Sequence, residues 1–269
     1  MSLVFPLRAL RPAPDAAARV ASVPYDVVST DEARALASGN PLSFLRVTRS
    51  EIDLPPGTNP YDDAVYLQAV RNFEDLKRAA PMIVDVEPSL YFYRLRMGAH
   101  EQIGMAGGFS VDEYDRDLIK KHEKTRKDKE DDRTRHIVEL RAQTGVVFLT
   151  YRDSAAVNAI AARLTRTAPL YDIAAPDGVQ HTVWRVTGAD RDALVAAFRD
   201  VPELYIADGH HRAASAASAR TTLASWGAPS AAAGPLVAVA FPGMQGGIVV
   251  HNRGVKRRVV AIETFPYYA

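Results

Sequence analysis

The chain has 269 residues, 47% hydrophobic and 24% charged, an ordinary globular composition with length for one large domain or two small ones. Its 33 basic and 32 acidic residues leave a net charge of +1, which gives no support to broad binding of nucleic acid or of a membrane surface. There is no cysteine, so disulfides, thiolate zinc sites, iron–sulfur clusters and cysteine nucleophiles are all excluded.

No apolar run is long enough for a membrane span, and Arg and Pro interrupt residues 1–15 too early for a signal peptide, so a cytoplasmic location without a membrane partner is expected. Residues 3–10 read as a short strand that the Pro-rich residues 11–14 end. The stretch PYDVV, residues 24–28, then lies in a loop before a short helix, because Ser29 or Thr30 suits an N-cap with acidic residues in the first turn. Tyr25 and Asp26 either fix that turn or face a ligand.

After a Pro- and Gly-rich loop at residues 53–60, Tyr66, Val70, Phe73 and Leu76 recur at helical spacing, and this helix is expected to cover a sheet. Residues 90–96 and 102–110 alternate as paired strands around a turn at 97–100, their aromatic residues belonging to the core. Next comes a dense polar cluster, HEKTR at residues 122–126, followed by KDKEDDR at 127–133. The second part reads as a solvated helix with opposite charges at i,i+4, whereas His122, Glu123, Lys124, Thr125 and Arg126 crowd at what reads as the helix start.

Residues 146–151 are strongly β, 155–166 helical, 170–173 and 179–186 a strand pair, and 190–198 a further helix. A short strand at Tyr205 and Ile206 then ends in Asp208, Gly209, His210, His211 and Arg212 before a helix over residues 212–226. Gly209 permits a sharp turn, a helix N-terminus attracts anions, and Arg212 is expected to add a bidentate fork to phosphate or carboxylate. Asp208 supplies a carboxylate able to orient a hydroxyl or hold a magnesium ion; the alternative is a simple cap, with the histidines in structural hydrogen bonds. Residues 235–241 and 248–251 read as two more strands, the second leading into Asn252 and Arg253, which could reach a phosphate, and then a basic group at 256–258.

Taken in order, PYDVV, HEKTR with the following DDR, and DGHHR resemble a widespread prokaryotic domain-of-unknown-function family related to the ParB and sulfiredoxin superfamily. The resemblance runs from the first strand to residues 251–253. It implies an α+β fold, mixed sheets with flanking helices and a ParB/sulfiredoxin-like core around the strand-DGHHR-helix turn. A division into an N-terminal α/β lobe at 1–110 and a phosphate-binding part at 111–269 is expected, or one intertwined domain. Family members usually continue beyond the position of His251, so the chain is expected to be C-terminally truncated.

Some relatives resemble free-serine kinases that use ATP, ADP or pyrophosphate. On that resemblance Glu123, Asp208 and His211 are the expected catalytic residues, with Glu123 as the base. Tyr25, Asp26, His122, Lys124, Thr125, Arg126, Arg133, Gly209, His210, Arg212, Asn252 and Arg253 are expected around substrate and phosphate, with Mg2+ as the accompanying ion. The chemistry agrees, since phosphoryl transfer needs positioning, positive charge and a base beside the attacking hydroxyl. A phosphotransferase acting on a small hydroxylated substrate, best matched by L-serine, is therefore the leading expectation, and a homodimer is compatible with it. The alternative is a non-catalytic ParB-like nucleotide- or phosphate-binding regulatory module, although no helix-turn-helix signature or basic balance favours nucleic acid. Metal-dependent hydrolysis through His122, His210 and His211 is the weakest option, because no recognised metal spacing is present.

Overall fold

The structure is a computed structural model that describes residues 3–227, 235–243 and 267–268. The expected strand at residues 3–10 is split, because Pro6 has no N–H to give a ladder. β1 (Val4–Phe5) joins the main sheet, Leu7 makes a single bridge to Ser89, and β2 (Leu10–Pro12) pairs with β3 (Met82–Val84) in a separate two-stranded ribbon. Pro12, expected to end a strand, closes β2 instead, since a two-stranded ribbon leaves one side of each strand unpaired. Helix α1 (Pro14–Val20) follows directly, with Pro14 in the first turn where its missing N–H costs nothing.

Tyr25–Val27 form a single 3₁₀ turn, and Ser29 then caps α2 (Thr30–Ala37) as expected. The cap is reciprocal: the Ser29 hydroxyl accepts the Glu32 N–H at 3.3 Å and the Glu32 carboxylate accepts the Ser29 N–H at 2.9 Å. Beyond α3 (Leu45–Thr48) comes α4 (Asp63–Ala79), whose stripe of Tyr66, Phe73 and Leu76 is buried. That stripe was expected to cover a sheet; instead α4 packs on α3 and on a later helix, with Phe44, Val47 and Leu140 supplying the apolar partners.

The central hairpin is as expected, β4 (Leu90–Met97) antiparallel to β5 (His100–Phe109). A short helix α5 (Val111–Asp115), capped by Ser110, leads to β6 (Ile119–Lys120), and α6 (Lys127–Leu140) follows. Then come β7 (Ala142–Gln143), β8 (Val147–Tyr151), α7 (Ala155–Leu164), β9 (Tyr171–Ala174), β10 (Gln180–Val186) and α8 (Gly188–Ala197). β11 (Leu204–Asp208) enters α9 (His210–Ser225), and β12 (Leu236–Pro242) closes the described core. The expected strand at 248–251, the basic residues 256–258, Asn252 and Arg253 lie outside the described residues.

The main sheet runs β6-β11-β8-β12-β5-β4-β10-β9, with β1 also on β5. Its β6–β11 and β8–β12 pairs are parallel and the others antiparallel, so the fold is α+β with a mixed sheet. Strands from both sides of residue 110 enter this one sheet. Period-two alternation buries both faces: Leu90 and Phe92 point to a core with Leu149, Trp184, Leu194 and Phe198, while Tyr91, Tyr93 and Leu95 point to one with Val239 and Phe241. Gly104 on β5 makes room at that second face, where a Cβ would lie 2.7 Å from Val239 and 2.8 Å from the Phe241 ring.

A buried polar network ties the N-terminal ribbon to the sheet. The Arg11 Nε donates to Asp85 Oδ1 at 2.9 Å, the Tyr91 hydroxyl donates to Asp85 Oδ2, and Arg185 Nε lies 3.4 Å from the same oxygen. Burial, with the Asp85 carboxylate second, pushes the Tyr91 phenol well up, so it remains a donor. Asp85→Ala leaves Arg11 buried without its anion, and a loss of about 3 kcal/mol in urea unfolding is expected. A loss below about 1 kcal/mol would show that the ribbon is held without the ion pair.

Candidate functional site

Parallel pairing of β6 with β11 sets the position of the site. Ile119 lies opposite Leu204 and Lys120 opposite Tyr205, so the segments that follow the two strands leave from the same edge of the sheet. The carboxyl ends of parallel strands are where open α/β sheets commonly hold ligands. Gly209 makes the turn after β11 at φ 90°, and the helix begins at His210, two residues earlier than expected. His210, His211 and Arg212 are therefore the first turn of α9. On the other side, α6 starts at Lys127 with Arg126 at its N-cap, so His122 to Thr125 form the connecting loop rather than the helix start.

The two segments meet through the paired histidines. His210 Nε2 accepts the backbone N–H of His122 at 3.5 Å, and His211 Nε2 accepts that of Arg126 at 3.0 Å. The rings of His122 and His210 meet edge to face with centroids 4.4 Å apart. Glu123 Oε2 lies 3.7 Å from His210 Nδ1, with Glu123 half exposed and His210 buried. Burial holds the His210 pKa below the ordinary imidazole value, helped by His122 and His211 and opposed by Glu123 and Asp208. Asp208 and Lys124 are exposed at the same edge.

Thr125 is tied down by a residue that sequence reasoning assigned to a solvated face. Its hydroxyl donates to Glu130 Oε2 at 2.9 Å, while Ser218 on α9 donates to Glu130 Oε1 at 2.8 Å and Ser215 to the Glu130 carbonyl at 3.1 Å. The neighbouring pairs Arg126–Asp128 and Lys127–Asp131 are exposed, as expected for a solvated helix start. Arg126, expected near donor phosphates, thus has Asp128 as its present partner at 2.7 Å.

The PYDVV loop joins from the other side of α9. Arg212 Nη2 donates to Asp26 Oδ2 at 2.5 Å and Nη1 donates to the Val146 carbonyl at 2.8 Å. The stem of Arg212 passes Gly145 and Gly209, where added Cβ atoms would lie 3.2 and 3.5 Å from its Cδ. Arg212 is buried, so the fork expected to face a ligand holds Asp26 instead. Arg133 stacks over the Tyr25 ring at 4.3 Å, and its Nε donates to Asp132, which also accepts the Tyr66 hydroxyl at 2.6 Å.

Of the expected site residues, Tyr25, Asp26, His122, Glu123, Thr125, Arg126, Arg133, His210, His211 and Arg212 are linked by these contacts around the first turns of α6 and α9. Glu130, Asp132, Tyr66 and His136 were missed. The i,i+4 spacing of Asp132 and His136 on α6 was the available signal. Among the described residues no three His, Asp or Glu side chains gather as a metal-binding set.

A family model described as "Protein of unknown function (DUF1015)" matches residues 4–260, and the chain belongs to that family. No curated protein and no solved structure matches it.

His136 lies under the site, fully buried, with Nε2 3.1 Å from the Val47 carbonyl. Burial, with Arg133 second, pushes its pKa from 6.5 down to about 3. Below pH 6.5 the unfolded chain therefore binds a proton that the folded chain refuses, and stability falls as pH falls toward 3. His136 alone should remove about 2 kcal/mol between about pH 7 and pH 5, measured by urea unfolding, and His136→Gln should flatten that slope. An unchanged slope in the variant would assign the acid sensitivity elsewhere, for instance to His181, whose pKa burial pushes down to about 4.

Proposed function

We propose that this DUF1015 protein is a phosphotransferase that moves a phosphoryl group from a nucleotide or pyrophosphate to a small hydroxylated acceptor, L-serine being the best match. One observation carries the reading: the HEKTR loop and the first turn of the DGHHR helix share one edge of the sheet, with Glu123 Oε2 3.7 Å from His210 Nδ1. An exposed carboxylate, an open helix N-terminus and the cations Lys124 and Arg126 together supply what phosphoryl transfer asks of a protein. The ordered motifs also support kinship with the ParB/sulfiredoxin superfamily and with free-serine kinases.

In this reading the acceptor hydroxyl attacks the terminal phosphorus, the bond from that phosphorus to the donor's leaving oxygen breaks, and the hydroxyl proton passes to Glu123. The first-turn N–H groups of α9, with Lys124 and Arg126, face the phosphoryl oxygens as charge spreads over them. Asp208 flanks the acceptor, and His211 acts through the Arg126 backbone N–H that it accepts. Arg212 acts through Asp26, holding the Tyr25–Val27 turn against α9 rather than contacting phosphate. Asp208 is the carboxylate that would help hold a magnesium ion, which would neutralise charge on the donor phosphates.

The test is phosphorus NMR of the protein with magnesium, L-serine and, in separate tubes, ATP, ADP and pyrophosphate. An O-phosphoserine signal in one tube is expected, and Glu123→Gln should slow its appearance by about 10²- to 10⁴-fold while donor binding persists. Silence in every tube from folded protein would overturn the transferase reading in favour of a module that binds nucleotide or phosphate without turnover.

A further inference from the structure

We infer that His210 and His211 are positioning residues, two adjacent imidazoles that clamp the ends of the His122–Arg126 segment by accepting its first and last backbone N–H groups. Two contacts define the clamp, His122 N–H to His210 Nε2 at 3.5 Å and Arg126 N–H to His211 Nε2 at 3.0 Å. Three residues separate the two anchored amides and none separates the two acceptors, so the clamp holds the segment at both ends and leaves its middle to its own backbone. Glu123 and Lys124 lie exposed between the two anchors.

The clamp dictates the tautomer of each ring. A nitrogen that accepts an N–H carries no proton, so in a neutral imidazole the proton sits on Nδ1. In His210 that nitrogen lies 3.7 Å from Glu123 Oε2, beyond hydrogen-bond length, so the proton is near the carboxylate without fixing it. Neutrality follows from burial, which holds His210 below its ordinary value. Next to the second anchor, the Thr125 hydroxyl is fixed on Glu130, so the loop end is held from α6 as well as from α9.

Adjacent side chains on a helix diverge by about 100° and cannot converge on one small ligand, but they can take two points of a passing chain. That geometry accounts for the doubled histidine better than shared ligand binding does. The catalytic meaning of the clamp rests on the phosphotransferase reading above; the clamp itself does not.

Nitrogen-15 NMR of the wild-type protein at neutral pH reads the tautomers directly. The Nδ1–H form is expected for both rings, with a coupling across the hydrogen bond between the Arg126 amide and His211 Nε2; a protonated Nε2 on His211 would overturn the proposal. His211→Gln keeps an acceptor within reach and His211→Leu keeps none. Amide exchange at Arg126 should accelerate by roughly three- to tenfold in the leucine variant and be restored in the glutamine variant. Equal exchange in all three proteins, or loss of protection in glutamine as deep as in leucine, would also overturn it. If O-phosphoserine formation occurs, His211→Leu should lower kcat with little change in the donor KM, and His211→Gln should recover most of it. A clamp that passes the NMR tests in a protein that transfers no phosphate would leave the clamp standing and the transferase reading refuted.

Discussion

Two residue pairs of parallel ladder, Ile119 with Leu204 and Lys120 with Tyr205, decide where everything else in the site goes. Parallel strands must exit on one edge, so two loops some eighty residues apart in sequence emerge side by side. β11 is otherwise antiparallel to β8, and its ladder shifts register between Ile206 and Asp208. Such an irregularity re-aims the strand end, and here it falls just before the Gly209 turn that starts α9. An antiparallel β6 would send residues 122–126 to the far edge of the sheet, and neither histidine would have an amide to accept.

Onto that edge the fold adds a second constraint, the buried guanidinium of Arg212. Its stem passes two glycines and its nitrogens reach the PYDVV loop and the start of β8. A guanidinium stays charged at any pH the protein meets, and burying one demands an anion and further acceptors. Asp26 and the Val146 carbonyl are those partners. The first turn of the helix thus carries a buried cation paired with Asp26, while Asp208 and Lys124 are exposed nearby. Positive charge at this edge then comes from the helix end and the exposed Lys124 and Arg126 rather than from Arg212.

Much of the fold was legible because it follows local rules. The 90–109 hairpin shows strict alternation, Ser29 is one of two N-cap candidates ahead of acidic residues, and the strand-to-helix passage at Gly209 shows a residue free to take positive φ. What escaped is non-local. Whether the α4 stripe meets a sheet or another helix depends on Phe44 and Leu140, distant in sequence. Whether Arg212 faces a ligand or Asp26 depends on a partner 186 residues away, and the side-chain chemistry suits both. Glu130 sits in a run of charges that pattern alone assigns to solvent, and only the approach of Ser215 and Ser218 from α9 gives it work. Pro12 ended a strand on paper because the rule for proline concerns interior strands, and the ribbon it occupies has no interior.

The same contrast separates what positions the site from what would do chemistry there. The residues with the firmest anchorage, Arg212, His136 and Asp132, are half-buried or buried and bonded to protein; the half-exposed carboxylate of Glu123 is held chiefly through its neighbours. A base must accept and release a proton, which a carboxylate locked in a buried ion pair does poorly. Holding the backbone on either side of Glu123 fixes where the carboxylate begins while leaving its half-exposed oxygens to solvent. Backbone anchorage by His210 and His211 is therefore a cheaper route to precision than a direct ion pair, and it explains why the histidines and not Lys124 or Arg126 touch the loop's main chain.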